Sequence, residues 1–216
     1  MKTILLIGIG RFGTHIAKHL SEMDQEIMAI DKDEELINSI LPFVTSAQIG
    51  DSTNPEFMKS LGVNNYDVCI VAIGDEFQSS LETALLLKEL GAKRVIARAS
   101  TDVQEKFLLR NGADEVVFPE KQLARWTAIY CVANNLLDYI ELDDEHAIFE
   151  IEVPHEWVGR SVAEIDIRRK HNVSIMAVKK DGELKITIDP NKYFQAGEIL
   201  MALGKNTDLL KCFKIQ

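Results

Sequence analysis

The sequence has little cysteine, no long apolar run and no excess of positive charge. Three of its 216 residues are cysteines, at positions 69, 131 and 212, and none is spaced to form a CxxC metal pair. We therefore expect no disulfide framework, and the composition suits a reducing cytoplasm. No apolar run approaches the roughly 18 residues of a membrane span, so we expect no direct membrane insertion.

The net charge narrows the choice of partners. The formal net charge is −10, which is the opposite of the basic footprint that nucleic acids and anionic membrane surfaces require. Apolar residues make up 46% of the chain, enough for a sizeable core. The length predicts either one large domain or two smaller ones.

A glycine-rich turn follows the first apolar run. Residues 4–7 are apolar, Gly8, Gly10 and Gly13 follow with GxGxxG spacing, and a helical pattern begins at Arg11. Strand, glycine turn and helix in this order are the dinucleotide-binding fingerprint. Its first glycine makes the tight turn, its second lets the backbone approach a phosphate, and its third lets the helix pack closely. The helix N-terminus then offers N–H groups to the phosphate.

An acidic residue ends the second predicted strand. Asp31 lies 18 residues after Gly13, where a carboxylate can accept hydrogen bonds from a ribose diol. Two plainer interpretations stay open. The glycines can form a structural turn that holds no ligand, and Asp31 can cap the next helix.

Strand and helix patterns alternate up to Pro119. The predicted strands are 4–7, 26–31, 45–49, 68–72, 94–98 and 115–118. The predicted helices are 11–23, 33–40, 55–61, 76–90 and 101–111, with Asp33 and Asn54 as caps and Gly112 as a left-handed stop. This alternation predicts an α/β fold, a Rossmann doubly wound parallel sheet whose ligand crevice lies at the carboxyl ends of the strands.

The pattern changes after Pro119. Residues 121–140 read as one long helix whose apolar residues cover more than one face. Such a helix needs cover on several sides, from the chain's own core or from a partner subunit. We favour the partner, because the predicted sheet is complete before this helix. The acidic residues 141–145 are predicted to form a linker.

A small α+β domain is predicted from residue 146 onward. Residues 147–153 alternate between apolar and acidic, strands are predicted at 173–178, 184–188 and 199–203, and a helix at 207–213. Residues 162–167 fit a short helix or turn. The predicted boundaries are 1–119 for the nucleotide-binding domain, 120–145 for the crossover helix and linker, and 146–216 for the C-terminal domain.

These motifs resemble the RCK (KTN) family, the regulatory subunits of Ktr and Trk potassium-uptake systems. The resemblance is carried by residues 7–13, Asp31, the run Gly50-Asp51-Ser52-Thr53, and Gly112-Ala113-Asp114 leading into Phe118-Pro119-Glu120. Residues 123–140 match the family's crossover helix, and residues 147–216 look like its C-terminal regulatory domain. The chain is more similar to the Ktr-type subunit, because Trk-type chains repeat the two-domain unit.

The resemblance implies a regulator and not an enzyme. Members dimerise through the crossover region and form octameric rings in the cytoplasm, at the inner face of the cell membrane, under a separate potassium channel protein. ATP favours the conducting form more than ADP does. Cyclic di-AMP binds the C-terminal domain of several members and inhibits potassium uptake.

The resemblance also implies roles for individual residues. Gly8, Gly10, Arg11, Phe12 and Gly13 match the phosphate loop, and Asp31 matches the ribose acid. The remaining matches are Lys32 beside the adenosine, Asp51 and Thr53 near the adenine, Arg98 at a phosphate, and Glu120 at a divalent cation (Mg²⁺ or Ca²⁺) next to the γ-phosphate. Residues 168–175 with Pro190 match the cyclic di-AMP region.

Two alternatives concern the ligand and its contacts. The fingerprint and Asp31 do not separate ATP or ADP from NAD or NADH, so an NAD-dependent oxidoreductase and an NADH sensor are rival interpretations. A dehydrogenase needs a catalytic group at the nicotinamide end, and neither His155 nor His171 has an evident partner in the sequence. Arg98 and Glu120 can also form a structural ion pair.

Overall fold

The chain forms two compact units, Met1–Gln122 and Leu123–Gln216. The structure is a computed structural model that describes residues 1–74, 76–133, 135–143 and 145–215.

A six-stranded parallel sheet forms the centre of the first unit. Its strands are β1 (Thr3–Ile7), β2 (Glu26–Asp31), β3 (Ser46–Ile49), β4 (Val68–Val71), β5 (Val95–Arg98) and β6 (Glu115–Val117). Their order is β3-β2-β1-β4-β5-β6, which is the order of a Rossmann sheet. The predicted doubly wound sheet is therefore confirmed, and its topological switch point lies between β1 and β4.

Helices connect these strands and cover both faces of the sheet. They are α1 (Arg11–Glu22), α2 (Glu34–Ile40), α3 (Pro55–Ser60), α4 (Phe77–Glu89) and α5 (Asp102–Arg110), and α6 (Pro119–Val132) follows β6. Alternate β1 side chains serve two cores, since Leu5 packs with α4 residues and Leu6 with α1 residues. The predicted caps Asp33 and Asn54 each accept two backbone N–H groups.

The second unit is built on a five-stranded antiparallel sheet with the order β10-β9-β11-β8-β7. The strands are β7 (Leu136–Glu141), β8 (His146–Glu152), β9 (Ser174–Lys180), β10 (Glu183–Lys185) and β11 (Ile199–Lys205), and the helices are α7 (Val162–Ile165), α8 (Ile167–His171) and α9 (Asn206–Cys212). Its core includes the buried rings of Phe149, Trp157 and Phe194. The small α+β domain is thus confirmed.

Two predicted elements differ from the structure. The helix predicted at 121–140 is wrong over Leu136–Glu141, because these residues form β7 and pair with β8. Position 134 of that prediction lies outside the described residues. A register shift between Leu136 and Asp138 leaves Leu136 and Tyr139 both buried, and their spacing of three imitates a helix. The strand predicted at 184–188 ends at Lys185, since β10 is an edge strand with no buried side chain.

The three cysteines have different environments. Cys69 in β4 and Cys212 in α9 are buried, and burial raises the pKa of each thiol to about 12. Cys131 in α6 is exposed. Cys69 therefore packs as a small apolar residue.

Over the described parts of the chain, no helix has both the length and the apolar character that a bilayer span requires.

Candidate functional site

The glycine turn between β1 and α1 is held closely against its neighbours. The Gly8 N–H donates to the Ile30 carbonyl at 2.8 Å, and Gly8 has a φ of 92°, which favours glycine. A Cβ on Gly13 would lie 1.9 Å from the Gly8 carbonyl oxygen. The protein's own packing therefore requires glycine at both positions.

Gly10 is different, because the space beside it is open. No heavy atom of the described residues outside its immediate neighbours lies within 4 Å of the position a Gly10 Cβ would take. Gly10 is also the N-cap of α1. Among the described residues, no side chain caps this helix and its first turn holds no acidic residue. Free N–H groups thus face open space, which is the arrangement of an anion site at a helix N-terminus.

Asp31 ties the glycine turn to the end of β2. Its carboxylate accepts the Ile9 N–H at 2.6 Å and the Asp33 N–H at 3.0 Å. The cap of α2 is instead Asp33, which accepts the N–H groups of Glu35 and Leu36. A carboxylate has about four acceptor positions, so Asp31 keeps acceptor capacity for a ribose hydroxyl.

The turn after β3 is organised by Asp51. Its Oδ1 accepts the Thr53 N–H at 2.9 Å and the Thr53 hydroxyl at 2.7 Å. These bonds, the backbone one first, lower the pKa of Asp51 below its usual value. Phe57 lies against Gly50, where an added Cβ would be 2.1 Å from the ring. The turn is therefore ordered and anionic.

These segments enclose a cleft of about 270 Å³ at the carboxyl ends of the strands. Of the predicted site residues, its wall contains Gly8, Gly10, Asp31, Lys32, Asp51 and Thr53. Its remaining lining comes from residues that were not predicted as site residues: Ile7, Ile30, Leu36, Gly50, Ser52, Ala72, Ile73, Gly74, Glu76 and Ser79. The sequence could have predicted Gly74 and Glu76 as site residues, because they follow β4, the strand that borders the switch point.

Three other predicted residues, Phe12, Arg98 and Glu120, meet beside the cleft. Arg98 donates to the Glu120 carboxylate, and its guanidinium carbon lies 5.8 Å from the centre of the Phe12 ring. Gly74 lines the cleft, and a Cβ on it would lie 2.0 Å from Arg98 Nη1. The guanidinium therefore rests against the cleft wall.

Charge is concentrated around Glu120. Its own backbone N–H, then Arg98 and Arg11, hold the pKa of the Glu120 carboxyl below its usual range, although partial burial opposes them. Within the described ranges, Arg98 Nε is buried without a hydrogen-bond partner. A buried N–H donor without an acceptor is unfavourable, so an acceptor at Arg98 Nε would stabilise the site. A phosphate oxygen is a suitable acceptor for a guanidinium.

The predicted cyclic di-AMP region lies in the second unit. Its residues 168–175 span α8 and the start of β9, and the Pro190 carbonyl accepts the Ala163 N–H at 2.9 Å.

The fold and the glycine turn define a Rossmann-type domain followed by a small antiparallel domain. The model of the TrkA-N domain matches residues 4–119, and that of the TrkA-C domain matches residues 146–215. The chain belongs to the family of potassium uptake proteins that carry these two domains, which confirms the resemblance found in the sequence.

Two relatives from Bacillus subtilis (strain 168) match nearly the whole chain. The Ktr system potassium uptake protein C is 40% identical over 208 residues, which cover 96% of this chain and 94% of the relative. The Ktr system potassium uptake protein A is 33% identical, with the same two coverages.

Solved structures share the fold. The GsuK channel aligns with a TM-score of 0.69 and 19% identity, over 99% of this chain and 39% of the channel chain. A GsuK channel bound to NAD aligns with a TM-score of 0.65 and 18% identity, over the same shares of the two chains. At these identities the likeness shows the fold alone.

Proposed function

We propose that this protein is a non-catalytic, nucleotide-binding regulatory subunit of a Ktr-type potassium uptake system. The observation that carries the proposal is the cleft at the switch point, where Gly10, the uncapped start of α1 and Asp31 line one wall. This arrangement suits a nucleotide whose phosphates lie over the glycine turn and whose ribose lies at Asp31. The two relatives named as Ktr system potassium uptake proteins give the biological setting.

Regulation requires that two ligands favour different conformations. ATP and ADP differ by a γ-phosphate, and we assign the recognition of that group to Arg11 and Arg98. A ligand shifts a conformational equilibrium only by its difference in affinity for the two states. We propose that ATP favours the conducting state of a separate membrane channel subunit, and that the protein works at the inner face of the membrane through that partner.

A divalent cation and a ring assembly are parts of the same proposal. Over the described residues, no three His, Cys, Asp or Glu side chains group into a metal site. A Mg²⁺ or Ca²⁺ at Glu120 would therefore take its other ligands from phosphate oxygens and water. Leu123, Tyr130 and Val132 of α6 are exposed apolar residues, which fits a dimer that builds an octameric ring. Cyclic di-AMP at 168–175 is carried by the family resemblance.

A second ligand class is NAD or NADH. Asp31 at the end of β2 would accept hydrogen bonds from the adenosine ribose of either ligand class. One structural neighbour is a GsuK channel bound to NAD. Under this alternative the site senses the dinucleotide.

The test is calorimetric titration of the purified chain with ATP, ADP, NAD and NADH, with light scattering to measure the mass of the assembly. We expect ATP and ADP to bind, and we expect the mass of the assembly to be a multiple, greater than one, of the mass of a single chain. Tighter binding of NADH than of ATP would favour the second ligand class. Catalytic turnover of NADH with a substrate would contradict the regulatory proposal.

A further inference from the structure

An ion pair joins two walls of the cleft. Lys32, directly after β2, places its Nζ 2.9 and 3.0 Å from the two carboxylate oxygens of Glu76, the residue before α4. Both residues line the cleft. The Ser79 hydroxyl also donates to the Glu76 carboxylate at 3.1 Å, which holds Glu76 in this orientation.

Carboxylates outnumber cations in the cleft wall. Among the described residues that line it, Asp31, Asp51 and Glu76 carry negative charge and Lys32 alone carries positive charge. Glu76 raises the pKa of Lys32, first through the hydrogen bond and then through its charge, with smaller contributions from Asp51 and Asp31. The single ammonium is thus surrounded by acids.

This charge distribution matters at one atom of the ligand. A Rossmann site distinguishes a free ribose 2′-hydroxyl from a 2′-phosphate at the end of β2, where an acid accepts a hydrogen bond from the hydroxyl and a cation donates hydrogen bonds to the phosphate. The chain has both groups there, in Asp31 and Lys32. An unpaired Lys32 beside Asp31 would let the site bind either a 2′-phosphate or a free 2′-hydroxyl. The Lys32 ammonium is instead paired with the Glu76 carboxylate.

We infer that Glu76 is a specificity residue: by holding Lys32 in an ion pair, it makes the cleft reject nucleotides whose adenosine ribose carries a 2′-phosphate. This inference rests on the proposed nucleotide site and adds its selectivity. Glu76 contributes a repulsive charge and removes an attractive one, and both act against the same ligand.

The test compares two competitors that differ only by the 2′-phosphate. The full chain is saturated with ADP, and its displacement by 5′-AMP and by adenosine 2′,5′-bisphosphate is followed by calorimetry. We expect the wild type to bind the bisphosphate more weakly than AMP. Glu76→Gln should reduce the ratio of AMP affinity to bisphosphate affinity by about fivefold, which is the size of an exposed ion-pair effect. Lys32→Gln should increase the ratio.

A matched control separates this effect from a general change of charge. Glu89→Gln removes one acid from the far end of α4 and should leave the ratio unchanged. The inference is overturned if the ratio of AMP affinity to bisphosphate affinity is the same in Glu76→Gln as in the wild type, or if the wild type prefers the bisphosphate. If the wild type binds neither ADP nor ATP, the proposed function fails, and the inference fails with it.

Discussion

The carboxylate of Asp31 accepts the backbone N–H of Ile9 at 2.6 Å, so the acid at the end of β2 positions the glycine turn at the end of β1. Two parts of the sequence fingerprint are therefore joined by a charged hydrogen bond. A single side chain both shapes the glycine turn and lines the cleft in which the ribose is proposed to bind. The contacts of Asp31 thus predict linked effects on stability and on binding.

Asp31→Ala should weaken ATP and ADP by similar factors, of about tenfold or more, because the ribose is common to both ligands. It should also lower the free energy of unfolding by about 1–3 kcal/mol, since the Ile9 and Asp33 N–H groups lose their acceptor. Calorimetry and urea unfolding measure the two effects. Asp33→Ala is the control, since it removes a helix cap at a cost of about 1 kcal/mol and should leave affinity unchanged.

Gly10→Ala and Gly13→Ala should separate binding from folding. A methyl group at Gly10 meets open space, so the free energy of unfolding should change by no more than about 1 kcal/mol, while nucleotide affinity falls about tenfold or more. A methyl group at Gly13 would collide with the Gly8 carbonyl and should destabilise the protein by about 1–3 kcal/mol. Unchanged nucleotide affinity in folded Gly10→Ala would contradict the placement of phosphates over this turn.

Arg11→Ala should weaken ATP about tenfold and ADP by a smaller factor, because its guanidinium is proposed to contact the γ-phosphate. Titration of both nucleotides into the variant and the wild type measures the difference. Arg94→Ala is a suitable control, since Arg94 pairs with Glu115 and is not part of the cleft wall. Equal losses for ATP and ADP would refute the assignment to the γ-phosphate.

Leu123→Glu and Tyr130→Glu should reduce the mass of the assembly measured by light scattering. Both side chains are exposed on α6, at 63% and 51%, and a carboxylate buried in a subunit interface is strongly unfavourable. Met23→Glu, at a position that is 65% exposed after α1, should leave the mass unchanged. An unchanged mass in both α6 variants would place the dimer interface elsewhere.

Asp114 should contribute stability that depends on pH. Its carboxylate accepts the Val95 N–H at 2.7 Å and pairs with Lys88 at 2.7 Å. Burial raises its pKa, but the Lys88 and Val95 contacts together outweigh burial, so the pKa in the folded state lies below the usual value. The stabilisation is therefore complete above the unfolded pKa of about 3.8 and is lost as the pH falls through the folded pKa.

The measurement is the difference in free energy of unfolding between the wild type and Asp114→Asn. It should be constant from about pH 5 to pH 8 and decrease below about pH 4. Its size should be no more than about 1 kcal/mol, since both partners of the ion pair are partly exposed. A difference that stays constant down to pH 3 would contradict the lowered pKa.

The helices and strands of the first unit were predictable from the sequence because the signals that define them are local. The β1 run, the glycines and the caps Asp33 and Asn54 each act within a few residues, and all of them form the predicted elements. The end of α6 was not predictable in this way. Leu136 and Tyr139 have helical spacing, and only pairing with β8 shows that they belong to a strand with a shifted register.

The site shows the same division. Asp31 and the glycines follow from spacing, whereas Glu76 reaches the cleft through an ion pair with Lys32, 44 residues earlier in the chain. The contact of Arg98 with Gly74 likewise depends on the order of β4 and β5 in the sheet. Neither contact has a local pattern, because each joins the ends of strands that only the sheet topology brings together.

The contrast among the three cysteines gives the natural chain a built-in attachment point for a probe. Burial raises the pKa of the Cys69 and Cys212 thiols to about 12, so both are protonated at neutral pH and react slowly with maleimides. Cys131 is exposed and lies in α6. A maleimide can therefore be directed to one defined place without mutagenesis, and its rate of reaction at Cys131 reports whether α6 is covered in the assembly.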